Sequence, residues 1–179
     1  YKEFLDATGY KPKWPENFLK HWNNGTYPTG KGGHPVYWVS IEDAKAYANW
    51  AGKRLPTEEE WQLAAQGTDG RAWPWGNTYD ERKANMDSEA TKKVGSYPDG
   101  ASPFGVLDMA GNVWEWTDEG SEPPPTTAPD VLRQQLVMGG AYYSMVDELG
   151  RSGVMRRLPE DRGTGGIGFR ILRATTHSR

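Results

Sequence analysis

Asp108-Met109-Ala110-Gly111-Asn112-Val113-Trp114-Glu115-Trp116 is the stretch whose reading decides the fold of this chain. Residues 113–117 read as a strand. Side chains alternate across a strand, so Trp114 and Trp116 share one face while Val113 and Glu115 share the other. Ahead of it, Ala110-Gly111-Asn112 reads as a turn that joins this strand to a second extended piece at Val106 and Leu107. Two carboxylates, Asp108 and Glu115, flank the turn. Together with the backbone carbonyls of Gly111 and Val113 they make an all-oxygen donor set, and two carboxylates balance a doubly charged ion, which suits calcium. The same residues admit a plainer reading, in which Glu115 pairs with an arginine and Asp108 caps the turn.

Upstream of this stretch the spacing predicts two helices. Ser40-Ile41-Glu42-Asp43 is a capping-box start, with Ala44, Tyr47, Ala48 and Ala51 on one face and Gly52 at the end. Thr57 caps a second helix, whose three glutamates suit the positive end of the helix dipole. Trp61, Ala64 and Ala65 form its apolar stripe and Gly67 ends it. Residues 1–8 read as the end of a helix stopped by Gly9. Residues 36–39, 136–138 and 168–172 read as extended, and Trp73-Pro74-Trp75-Gly76-Asn77 as a tight turn between aromatics.

Composition fits this picture. In 179 residues there are 9 Trp and 9 Tyr beside 22 Gly and 13 Pro, which predicts a loop-rich domain cored on large aromatics. A balance of 21 basic against 24 acidic residues gives no reason to expect nucleic acid. No apolar run has the length of a membrane span. With no cysteine, thiolate metal sites and cysteine nucleophiles are excluded. The three histidines are scattered, and no nucleophile elbow, phosphate loop or dinucleotide fingerprint is present. A second dense cluster lies in residues 139–166. Arg151, Arg156, Arg157 and Arg162 alternate there with Asp147, Glu148, Glu160 and Asp161, close to Tyr142 and Tyr143. It reads either as a surface ion-pair network or as a polar binding face with aromatic anchors.

The order of motifs carries a family resemblance. Lys53-Arg54-Leu55-Pro56-Thr57-Glu58-Glu59-Glu60-Trp61 is followed by Trp73-Pro74-Trp75-Gly76 and then Val94-Gly95-Ser96-Tyr97-Pro98. The 108–116 stretch, Gly139-Gly140 and Gly168-Phe169-Arg170 complete the series. Over residues 34–173 this resembles the formylglycine-generating enzyme, or sulfatase-modifying factor, family, and the lead-in at residues 1–10 is similar too. The resemblance implies an α+β fold, a variant of the C-type-lectin fold with two helices and short, mostly antiparallel strands. On this reading residues 1–179 form a single domain, with a lead-in helix and loop at 1–33, the family core at 34–173 and a tail at 174–179. Family members also have earlier strands that close the sheet. The chain, which starts at Tyr1, is therefore expected to be N-terminally incomplete, with the remainder of its parent as a partner.

The resemblance also shapes the expected chemistry. Family enzymes hold copper with two cysteines, and the matching positions here are Ser144 and Leu149. A serine beside that active site matches Ala141. Soft Cu(I) needs thiolate ligands, so neither copper nor formylglycine-generating activity is expected. Arg151 and Arg157 match family arginines. The family's calcium ligands match Asp108, Gly111, Val113 and Glu115, so calcium is the expected cofactor. A second family calcium site would begin at Asn85 and Met86.

Three readings follow. The first is a non-catalytic module that binds a protein, peptide or glycan on the 139–166 face through Tyr142, Tyr143, Ser144, Asp147, Arg151 and Arg157. A special case is the variable protein of a diversity-generating retroelement. The second is the C-terminal domain of a larger oxidoreductase resembling hercynine oxygenases, whose iron site lies in another domain. The third is a structural domain of an envelope or motility lipoprotein. A periplasmic, cell-envelope or secreted location is favoured.

Overall fold

Local capping chemistry sets the helices. The chain was analysed as a computed structural model that describes residues 1–118, 134–145, 155–159, 161 and 163–173. Helix α1 spans Lys2–Thr8 and ends on Gly9 in the left-handed conformation. Helix α2, Ile41–Trp50, starts at a complete capping box: the Ser40 hydroxyl accepts from the Asp43 amide, and the Asp43 carboxylate accepts from the Ser40 amide. Helix α3, Glu58–Gln66, repeats the device with Thr57 and Glu60. The Glu60 carboxyl is held down to about 2, first by the Arg54 guanidinium and then by the Thr57 amide.

Four short strands form one mixed sheet: β1 (Trp114–Trp116), β2 (Gln134–Met138), β3 (Met155–Pro159) and β4 (Ile167–Phe169). The order is β3-β2-β1-β4, antiparallel throughout except that β1 and β4 run parallel. Residues 36–39 and 106–107, read above as extended, join no described strand. They run as irregular chain, and the Trp38 amide donates to the Thr164 carbonyl.

The two faces of the sheet bury different cores. On one face Trp114, Trp116, Val137 and Ile167 pack on Ile41, Ala44 and Ala48 of α2. On the other, Leu136 and Met138 pack on Trp61 and Ala65 of α3 and on Met109. The alternation read from residues 113–117 is thus observed, with both indoles toward α2 and Glu115 toward α3. A third cluster forms around Trp73, Ala84, Met86 and Ala110. Trp73 and Gly76 exchange backbone hydrogen bonds across the predicted turn, and the Trp73 and Trp75 rings stack at 5.4 Å. Among the described residues no helix is long and apolar enough to cross a membrane.

Candidate functional site

The turn at 108–112 requires unusual backbone. Asp108, Gly111 and Asn112 all have left-handed φ, at 57°, 76° and 65°. Asp and Asn tolerate this better than other side-chain-bearing residues. Gly111 is obligatory on two counts, because any Cβ there would also lie 2.4 Å from the Asn85 carbonyl oxygen.

The turn is fastened on both sides. Asn112 Oδ1 accepts from the Lys92 amide at 2.9 Å and from Asn85 Nδ2 at 3.1 Å, while its Nδ2 donates to the Lys92 carbonyl. On the other side the Gly111 amide donates to the Gly139 carbonyl, and the Tyr142 amide donates to the Asn112 carbonyl. The turn therefore positions the start of the 139–166 segment. The expected start of a second calcium site at Asn85 belongs to this amide clasp: Asn85 Oδ1 accepts from the Ser88 hydroxyl at 2.9 Å.

Glu115 is the hub of the buried polar chemistry. Its Oε2 accepts from Trp61 Nε1 at 2.6 Å and from Arg170 Nε at 2.5 Å, and its Oε1 accepts from Arg170 Nη2 at 2.7 Å. The same Nη2 reaches the carbonyls of Asp108 and Leu107 at 3.2 and 3.3 Å. Burial works against the Arg170 charge, but the Glu115 and Asp108 carboxylates outweigh it and hold the guanidinium pKa above its ordinary value. Asp108 Oδ2 accepts from the Gly95 amide at 2.7 Å. One part of the plainer reading is thus realised, since Glu115 pairs with an arginine; the Asp108 carboxylate does not cap its own turn but ties it to the loop at Gly95.

The calcium donor set can be tested against this geometry. Asp108, Gly111, Val113, Glu115 and Arg170 all line one cavity of about 270 Å³. Among the described residues, Asp108 Oδ1 and the carbonyls of Gly111 and Val113 accept no hydrogen bond, and Glu115 Oε1 accepts only one. Four oxygens with open lone pairs on residues that line one cavity are the donor chemistry calcium takes, with water completing a shell of six to eight, although Arg170 lines the same cavity and already holds both Glu115 oxygens. No three His, Cys, Asp or Glu side chains gather as a metal site among the described residues.

The predicted ligand face is only partly assembled as expected. Tyr143 is exposed at 46% and Met145 at 70%, and the Tyr142 and Tyr143 rings meet edge to face at 5.0 Å. Ser144 is a correction. It is 1% exposed, its Oγ accepts from the Ala141 amide, and its carbonyl accepts from the Asp87 amide. It shapes the turn and offers no surface to a ligand. Arg157 is a second correction. Neighbours on a strand point to opposite faces, so Arg157 lines a cavity with Arg54, Thr57 and Asp118 near the start of α3. It is Arg156 that lies over the Trp114 ring, at 5.5 Å, with its charge acting on Tyr143. Asp147, Leu149 and Arg151 lie outside the described residues.

Sequence reasoning missed three residues, Arg170, Asp87 and Ser88, and one cleft. Arg170 appeared there only as part of a motif, because it lies just after β4 and 55 residues from Glu115. Asp87 and Ser88 brace the face by donating their amides to the Ser144 and Tyr142 carbonyls, and Asp87 holds a left-handed φ of 47°. A cleft of about 650 Å³ beside β4, lined by Tyr1, Trp22, Tyr27, Tyr37, Tyr47 and Phe169, has no signal in the spacing. His21 stacks on Tyr37 there at 3.8 Å, and burial lowers its pKa to about 4.

Comparison with known proteins agrees with the motif order. Residues 1–175 match the sulfatase-modifying factor enzyme 1-like domain. The formylglycine-generating enzyme of Mycobacterium tuberculosis is 37% identical over 173 residues, covering 79% of this chain and 58% of that protein. Hercynine oxygenase of the same organism is 36% identical over 177 residues, covering 79% of this chain and 40% of that protein. The chain thus spans between two-fifths and three-fifths of the length of these relatives. Among solved structures, Treponema denticola variable protein 1 superposes with a TM-score of 0.68 at 22% identity, covering 95% of this chain and 80% of that one. At that identity the likeness speaks for the fold alone. Fold, motif order and sequence identity together make this chain a member of the sulfatase-modifying factor enzyme 1-like family.

Proposed function

We propose that this domain is a non-catalytic binding module on a formylglycine-generating-enzyme-like scaffold, with a protein or peptide ligand meeting the face formed by Tyr142, Tyr143, Met145 and Arg156. The observation that carries the reading is the braced turn at 141–145. Four hydrogen bonds, from Ala141 to Ser144 Oγ, Asp87 to Ser144, Ser88 to Tyr142 and Tyr142 to Asn112, hold its backbone while Tyr143 and Met145 stand in solvent. Aromatic, Met and Arg side chains are enriched at interfaces, and a preorganised backbone beneath them lowers the ordering cost of binding. The chain contains no cysteine, so the thiolate pair of the family's copper chemistry is missing from it.

Calcium is the cofactor this reading takes. Asp108, Glu115 and the Gly111 and Val113 carbonyls would hold it, within the turn that positions Tyr142. The test has two arms. Peptide and glycan arrays are probed with the protein and with a Tyr143→Ala/Met145→Ala variant of equal melting temperature. A ligand lost in the variant supports the face; one retained at full strength moves the site elsewhere. In parallel, a sulfatase-derived cysteine peptide is incubated with the protein, copper and oxygen. An unchanged peptide mass is expected, and conversion of the cysteine overturns the non-catalytic reading.

The second reading, a C-terminal domain of a hercynine-oxygenase-like enzyme, is favoured by the 36% identity to that relative. It requires an iron-binding domain elsewhere in a longer parent. Strand β4 ends the sheet, with no described strand beyond it and the aromatic cleft alongside. A preceding segment of such a parent would add its strands there. An upstream reading frame that encodes a histidine-bearing helical domain would favour the enzyme.

A further inference from the structure

We infer that Arg170 sets the affinity of the 108–115 turn for calcium: its guanidinium holds Glu115 in the cation-free protein and weakens cation binding by competing for the same carboxylate. The inference rests on the calcium reading above.

The geometry is that of a built-in counter-ion. Arg170 grips Glu115 through two nitrogens, Nε and Nη2, and caps the carbonyls of Asp108 and Leu107. It also lines the cavity that the four calcium donors share. In a site made only of carboxylates and carbonyls, loss of the cation leaves like charges facing one another, and the fold weakens. Here the Asp108 and Glu115 charges are partly neutralised by a side chain that cannot leave and cannot be deprotonated at ordinary pH. The Trp61 indole and the Gly95 amide then fix one oxygen of each carboxylate. The cation-free turn is preorganised, yet a bound calcium sits beside a fixed positive charge. Low-dielectric surroundings make that repulsion costly. The consequence is weak calcium binding and a fold that survives chelation.

Two measurements test this on the whole protein. The first is calorimetric titration with calcium chloride of the chelated parent, of Arg170→Gln and of Arg170→Lys. Removing the charge in Arg170→Gln is expected to tighten binding by about tenfold or more, while Arg170→Lys binds as weakly as the parent. Equal affinity in parent and Arg170→Gln overturns the inference and leaves the calcium reading standing. No calcium binding by parent or by either variant overturns the calcium reading itself. The second uses the unaltered protein, in case Arg170→Gln fails to fold. In excess chelator the Arg170 Nε–H resonance should be shifted downfield and protected from solvent exchange by its bond to Glu115, and the melting temperature should fall by no more than a few degrees. A freely exchanging Nε–H, or a collapse of the fold on chelation, overturns the role given to Arg170.

Discussion

Glu115, in strand β1, and Tyr143, in the turn after β2, obey opposite rules. Glu115 is buried on β1, and its carboxylate oxygens are bound by Arg170, the residue after β4, and by Trp61 of α3. Tyr143 stands 46% exposed on a turn held by backbone hydrogen bonds. In the first region the side chains make the structure, and removing one strands a charge. In the second, backbone hydrogen bonds and the buried Ser144 hydroxyl make the structure, and the exposed side chains contribute little to it. The difference shows how this scaffold can change what it meets without losing its fold. The hub fastens the turn at 108–112, the turn fastens Gly139 and Tyr142, and the exposed residues ride on that chain of bonds.

Glu115→Ala is the largest test of this contrast. It leaves the Arg170 guanidinium and the Trp61 N–H without their shared acceptor, and should cost about 3–5 kcal/mol in urea unfolding. A loss under 1 kcal/mol would remove the hub from the account. Asn112→Ala comes next, with about 1–3 kcal/mol expected from three lost side-chain hydrogen bonds and a left-handed φ. It should also loosen the face, seen as faster amide exchange at Tyr142. If Tyr142 stays protected, the turn does not brace the face.

Thr57→Ala removes one half of the α3 capping box and should cost about 1 kcal/mol, without touching the face. Acid provides a milder test. His21 has its pKa lowered to about 4 by burial, so the folded state binds fewer protons than the unfolded state between there and the ordinary histidine value. The stability it contributes is whole above pH 6.5 and is lost as the pH falls toward 4. Replacing His21 with Phe should flatten that slope in denaturant titrations at stepped pH, and an unchanged slope would assign it to other groups. Met145→Ala is the smallest, within about 0.5 kcal/mol of the parent, while any ligand of the face should bind more weakly. A large stability loss there would place Met145 in the core and end the contrast.

Much of this was legible in the sequence because it is local. Ser40 with Asp43 and Thr57 with Glu60 are three residues apart, and the observed caps are those the spacing predicts. Gly9 and Gly67 end helices for the same reason. The alternation of Trp114, Glu115 and Trp116 needs only the period of a strand. The four oxygen donors proposed for calcium, all within eight residues, likewise come from local spacing. The assignments that needed correction, Ser144 and Arg157, share a different property. Each depends on which way a side chain points once its segment is docked. Ser144 is turned inward, where its hydroxyl accepts from the Ala141 amide, and the register of β3 against β2 decided which of Arg156 and Arg157 shares the face of Val137 and which that of Leu136.

By itself, then, the sequence determined the helices, their caps, the family and the alternating strand at the centre of the sheet. Each follows from short-range hydrogen bonding, a fixed period, or an ordered set of motifs. Only the tertiary structure decided that the cation facing Glu115 is Arg170, that Trp61 completes the junction, and that an amide clasp joins Asn85 to Asn112. Those partners lie 55, 54 and 27 positions apart. A buried charge takes whichever partner the packed sheet and helices bring within reach, and no local pattern in the chain encodes that meeting.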